Sequence, residues 1–190
     1  MTMTESQKSA QMIAALDPYH MQVGRIASQW AALDHAIDQA IWKLAEISPA
    51  LGACITTQLT STATRLRVMW ALLLLRDGSD PLIKKLEKFN AKMYVALEKR
   101  NRAVHDPWCQ LDSGEVGQIK IALNNKRNLT LAEVPIGLEV VFNDLTIISR
   151  RLRNFITLSA EITSWLEISP QKWREPLPRI SHFELVSLGP

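Results

Sequence analysis

The sequence predicts an all-α protein: a four-helix up-down bundle with a small β-hairpin insertion between the third and fourth helices. Three observations predict it. Four long segments repeat apolar residues at steps of three and four. Proline or glycine stands near their ends. Between the third and fourth, residues 107–135 carry shorter apolar runs set between glycines. A chain of 190 residues suits one such domain. Residues 1–168 form the bundle with its insertion, and 169–190 a proline-containing tail.

The first helix is expected over 18–47, where Ile26, Trp30, Leu33, Ile37, Ile41, Leu44 and Ile47 share a face. Pro18 after Asp17 suits its start, since proline lacks only a donor that a first turn leaves unpaired. A short extra helix over 5–16 precedes it. The second follows Ser48-Pro49 and ends near Arg76, with Leu59, Ala63, Leu66, Trp70 and Leu73 as its stripe. Thr56, Thr57, Thr60, Thr62 and Thr64 weaken its first half. Gly78 tolerates the left-handed conformation of a helix terminator.

The third helix begins at Asp80-Pro81, an N-cap carboxylate followed by proline at the first helical position. Ile83, Leu86, Phe89, Met93, Leu97, Arg100 and Val104 then lie on one stripe. Pro107 stops it at His105 or Asp106. Gly114 and Gly117 break the following stretch, where 108–111, 118–121 and 128–131 read as short strands of a hairpin or three-stranded flap. The fourth helix spans 138–166, with Leu138, Phe142, Leu145, Ile148, Leu152, Phe155, Ile162 and Leu166 inward. In the tail, Pro170, Pro176, Pro178 and Pro190 favour irregular structure, while Trp173, Ile180, Phe183 and Leu185 are expected to pack.

Composition narrows the function classes. Hydrophobic residues make up 47% and charged residues 22%, as in soluble globular proteins. A net charge of +3 and a pI near 9.0 are compatible with nucleic acid without demanding it. Residues 1–10 are polar, with Glu5 and Lys8 in place of a signal peptide's apolar run. The most apolar window, 68–75, is too short to span a bilayer. A cytoplasmic protein without membrane association is expected. Cys54 and Cys109 fit no metal or redox spacing and read as free thiols in a reducing compartment. Among His20, His35, His105 and His182 no pair has a zinc-helix spacing. The chain has no phosphate-binding glycine loop and no glycine-flanked nucleophilic serine. No cofactor and no metal are expected.

One segment concentrates polar chemistry at the end of the third helix: Glu98-Lys99-Arg100-Asn101-Arg102-Ala103-Val104-His105-Asp106-Pro107-Trp108. It resembles the HEPN family, whose hallmark is an arginine, four to six intervening residues and a histidine at the end of a helix in a four-helix bundle. A polar residue, often asparagine, commonly follows the arginine. Here four residues separate Arg100 from His105, and Asn101 fills the polar position. Ala103-Val104 before the histidine and Trp108 after it are also similar to bacterial members. The resemblance covers residues 18–168 and is sharp at 100–108. Members often have glycine after the histidine, whereas this chain has Asp106-Pro107, which sets a carboxylate beside the imidazole as a competing hydrogen-bond partner.

The resemblance implies a metal-independent endoribonuclease, a toxin or defence component, that cleaves RNA by 2′-hydroxyl attack and leaves a 2′,3′-cyclic phosphate. It implies His105 as general acid or base, Arg100 stabilising the phosphorane and Asn101 holding either group. It also implies a homodimer with the cleft at its interface and a nucleotidyltransferase-like antitoxin as partner. Helix geometry bears on the dimer: five residues turn about 500°, leaving Arg100 and His105 about 140° apart on one ideal helix. Two copies meeting across a two-fold axis would bring the groups together. Asn101 and His105 are i,i+4 neighbours, so the amide is placed to orient the ring. Arg102, Trp108, Arg150, Arg151 and Arg153 are candidate RNA-binding residues, with Lys126 and Arg127 before the fourth helix. His35, Asp34 and Asp38 either line the same cleft or form a polar outer face. Trp30, Trp42, Trp70 and Trp165 read as core or interface anchors.

Two other readings stand beside the nuclease. One is a non-catalytic module on the same fold, binding RNA, a nucleotide or a protein partner. The other is a helical assembly protein in which Arg100 and His105 only complement the negative end of a helix and bond its free carbonyls.

Overall fold

The computed structural model describes residues 4–123 and 129–168, so the expected tail, His182, Lys126, Arg127 and Asn128 lie outside the described residues. The chain is mostly helical. Its elements are α1 (Glu5–Ala45), α2 (Pro49–Thr56), α3 (Thr62–Leu75), α4 (Asp80–His105), β1 (Trp108–Gln110), β2 (Val116–Leu123), β3 (Leu129–Pro135) and α5 (Leu138–Ile168). No helix among the described residues is long and apolar enough to cross a membrane.

Helix α1 runs 41 residues and passes straight through Pro18, which was expected to start it. The start lies instead at a capping box, in which Thr4 and Gln7 each bond the other's backbone. The helix survives the proline because the inward stripe continues on both sides of it. Leu16 and Gln22 are buried, and the half-buried Tyr19 ring packs tilted against Trp108, with centroids 5.3 Å apart. Packing there outweighs the one backbone bond that proline removes.

The expected second helix is two helices. Ser48 caps α2 with Pro49 behind it, and Ser61 caps α3 by accepting from the Thr64 amide at 3.1 Å. The threonine-rich stretch supplies this second start rather than merely a weak helix. Helix α3 then ends on Arg76, where Asp77, and not Gly78, takes the left-handed conformation (φ 51°). Gly78 is needed for a different reason: its amide donates to the Leu73 carbonyl at 2.8 Å, and a Cβ would lie 2.5 Å from Leu73 Cγ. At the start of α4, Ser79 is the N-cap and Asp80 the first helical residue, where its carboxylate favours the helix dipole.

Helix α1 is the spine. It packs on α5, α3, α4 and α2, and α4 also packs on α5. Ile26, Leu33, Ile37 and Leu44 of α1 are fully buried against Leu66, Met69 and Leu73 of α3, Leu86 of α4 and Ile148, Phe155 and Ile162 of α5. The insertion is a three-stranded antiparallel sheet in the order β1-β2-β3, with Trp108 opposite Gln118 and Ile121 opposite Leu131. Strand β1 packs on α1, so the sheet folds back over the end of α4. Both cysteines are free; burial, with Glu133 adding, pushes the Cys109 thiol up.

Candidate active site

Arg100 and His105 meet within one chain. Arg100 Nη1 lies 3.0 Å from His105 Nε2. The backbone leaves the two residues about 140° apart, and the long arginine side chain closes that angle. A second copy is not needed to bring them together. Arginine carries donors only, so the guanidinium donates and Nε2 accepts through its lone pair. In this contact the imidazole therefore presents its basic nitrogen to the cation.

The same Nη1 donates to Asn101 Oδ1 at 2.9 Å. Asn101 was expected to orient the ring as an i,i+4 neighbour. Of the two groups it was expected to hold, it bonds the arginine, and the arginine bonds the ring.

Beneath them lies Trp30, 3% exposed, with the Arg100 guanidinium carbon 5.9 Å from its ring centroid. That distance is at the outer edge of a cation–π contact. The indole is fixed in turn: Trp30 Nε1 donates to Thr62 Oγ1 at 3.1 Å, and Thr62 Oγ1 donates to Asp34 Oδ1 at 2.7 Å. Burial pushes the Asp34 carboxyl up; the Thr62 bond and the Arg65 cation pull it down, Asp38 adds to the rise, and Arg100 pulls it down. Asp38 itself pairs with Arg65 at 2.8 Å. Asp34 and Asp38 thus turn inward, half-buried, while His35 is exposed, bonded to Gln39 at 3.0 Å and set edge-on to Trp42.

The sheet braces this helix end. Gln118 Nε2 donates to the Arg102 carbonyl at 3.0 Å, and Trp108 Nε1 donates to the Ala103 carbonyl at 3.0 Å. The Asp106 amide also reaches the Arg102 carbonyl, at 3.1 Å, and the Ile119 amide holds the Pro107 carbonyl at 2.9 Å. The Arg102 and Ala103 carbonyls of the last turn are therefore taken by the sheet and by Asp106, not by Arg100 or His105. That counts against the two side chains serving only as a helix cap. Asp106 makes no hydrogen bond to the imidazole among the described residues.

The candidate RNA-binding residues do not converge. Arg102, one turn before His105, pairs with Glu98 at 2.5 Å. Trp108 is half-buried between α4 and Tyr19, a brace more than a free stacking face. Arg150 and Arg153 are exposed on α5, and half-buried Arg151 lines a groove with Lys85, Lys88 and Lys92, well before the helix end. Of the tryptophans, Trp30 is core, Trp42 and Trp165 are half-buried, and Trp70 is 39% exposed.

Thr62 and Gln118 were missed from sequence. The alternation Gln118-Ile119-Lys120-Ile121 assigns the isoleucine face to the core. Instead Gln118 is 4% exposed and Ile121 is 61% exposed, because the Gln118 amide turns inward to donate to the Arg102 carbonyl at the helix end.

Compared with protein-family models, curated proteins and solved structures, the chain matches none.

Proposed function

We propose that the chain is a metal-independent endoribonuclease of HEPN type, acting as a toxin or defence component. One observation carries the reading: a guanidinium and an imidazole lie 3.0 Å apart at a braced helix end. In this reading α1, α3, α4 and α5 correspond to the four helices of a HEPN bundle; the chain's five helices and small antiparallel sheet are compatible with it.

His105 Nε2 takes the proton of a 2′-hydroxyl. The freed oxygen attacks the adjacent phosphorus, and the 5′-oxygen leaves with a proton, giving a 2′,3′-cyclic phosphate and a 5′-hydroxyl. A scissile phosphate displaces the imidazole from Arg100, whose planar fork then bonds two phosphoryl oxygens as charge builds. Asn101 keeps the fork in place, and the guanidinium lies over the indole of Trp30. One copy supplies one imidazole, so a homodimer offers the second, for the leaving oxygen. A nucleotidyltransferase-like antitoxin remains part of this proposal as the partner that silences the site.

The test is cleavage of end-labelled RNA by the purified protein in excess EDTA, with the product ends analysed. Cyclic-phosphate ends, lost in both Arg100→Ala and His105→Ala, are expected. Intact RNA across varied substrates, with both variants as stable as the parent, refutes catalysis and leaves a binding module.

A further inference from the structure

A groove of about 290 Å³ runs between α4 and α5, away from the Arg100–His105 pair. Lys85, Lys88 and Lys92 line it from α4, and Arg151, Asn154 and Glu161 from α5. Four cations face one carboxylate there. Ion pairs close both ends of the seam: Lys85 with Glu161 at 2.6 Å, and Lys99 with Asp144 at 2.5 Å. Between them Lys88, Lys92 and Arg151 have no ion pair among the described residues. The Arg151 Nε is shut off from solvent and has no hydrogen-bond partner, so nothing in the protein fixes the fork through that atom.

Like charges held together without carboxylates repel, and the fold gains nothing from the arrangement. An anion does gain from it. The cations are also strung out rather than clustered about a point. Lys85, Lys88, Lys92 and Lys99 fall on one face of α4, at steps of three, four and seven. From Lys85 to Arg102 the helix rises about 26 Å. Arg102, which pairs with Glu98 on its own helix, and His105 are i,i+3 neighbours, so the line of basic residues continues around the outer surface of α4 to the imidazole. A single small anion would meet two of these groups at most, whereas a linear polyanion meets them all.

We propose that the α4–α5 groove is a backbone track for single-stranded RNA, which Lys88, Lys92 and Arg151 hold by its phosphates and Arg102 hands on to His105. This rests on the nuclease reading for its direction, but the binding itself does not. Phosphate contacts of this kind carry affinity and position without sequence preference.

The test is fluorescence anisotropy of a short 5′-labelled polyuridine RNA over a salt series. The parent, Lys88→Glu/Lys92→Glu, Lys88→Ala/Lys92→Ala and, as a control on α1 away from the groove, Lys8→Ala are compared. Both lysines are exposed and unpaired, so the fold should tolerate the changes. The charge reversal is expected to weaken binding about tenfold or more at low salt, and the alanine pair to lower the salt slope by about 1.4, at 0.7 per phosphate. Lys8→Ala should bind as the parent does. Groove variants that bind like the parent overturn the track. So does tripolyphosphate that binds the parent as tightly as the RNA does, since a pocket for a compact anion needs no strand. A parent that binds through the groove and cuts no RNA refutes the nuclease reading alone.

Discussion

Two helix ends in this molecule each hold an arginine, and they hold it differently. At the end of α3, Arg76 is 4% exposed and pairs with Glu46 at 2.9 Å, tying the last turn of α3 to the last turn of α1. At the end of α4, Arg100 bonds an imidazole and an amide and lies over an indole, all uncharged partners in those contacts. No carboxylate bonds it among the described residues; Asp34 acts on it only through space. An arginine neutralised by a carboxylate locks a joint. One held by neutral groups keeps its charge available for an incoming anion, and an exposed histidine beside it supplies a titratable nitrogen at the same spot.

The largest effect that separates the two ends is in stability. Arg76→Ala should cost about 2 kcal/mol, since it removes a buried guanidinium's charged hydrogen bond to the part-exposed Glu46 carboxylate and the packing of its stem. Arg100→Ala should cost about 1 kcal/mol, the scale of one hydrogen bond and a marginal cation–π contact. Urea unfolding measures both, and equal losses would erase the distinction. Arg100→Lys sharpens it: the charge stays and the fork goes, so RNA cleavage should fall about tenfold or more while the unfolding midpoint barely moves.

Gln118→Leu tests the brace. It frees the Arg102 carbonyl from its side-chain partner and should cost about 1 kcal/mol. Because the whole helix end loosens, cleavage should fall several-fold with binding to the groove unchanged.

The smallest effect is expected at Asp34. Its carboxyl is pushed up in the folded protein, chiefly by burial, so the fold favours the protonated form. The stability tied to it is present below the unfolded carboxyl range and is lost as pH rises through the folded value. Asp34→Asn keeps an acceptor for Thr62 and carries no charge. Its melting temperature should exceed that of the parent at pH 7, with the gap closing as pH falls into the carboxylate range. A gap that widens toward acid would contradict the assigned cause.

Much of this was legible in the sequence. The periodic stripes found α4 and α5 nearly to the residue, and the glycine-bounded runs found all three strands. Local rules failed where tertiary contacts overrode them. Pro18 marks a plausible helix start, yet Leu16 and Tyr19 have partners that keep the helix going. Arg100, Asn101 and His105 were visible as a spacing, but their partnership was not. An ideal helix separates the first and last, and only side-chain reach reunites them. Trp30, Thr62 and Asp34 lie far from the motif in sequence, and nothing short of the packing of α1 and α3 against α4 could join them to it.

The most direct test of the central claim, that one chain holds both groups of the site, is complementation. Arg100→Ala and His105→Ala chains are co-expressed, so that hybrid assemblies form, and RNA cleavage is compared with each variant alone and with the parent. Each variant alone should lose about a hundredfold or more. The mixture should recover nothing, because every site would lack one group. Activity regained on mixing would contradict the account, since it would mean that the arginine of one copy works with the proton-accepting histidine of another.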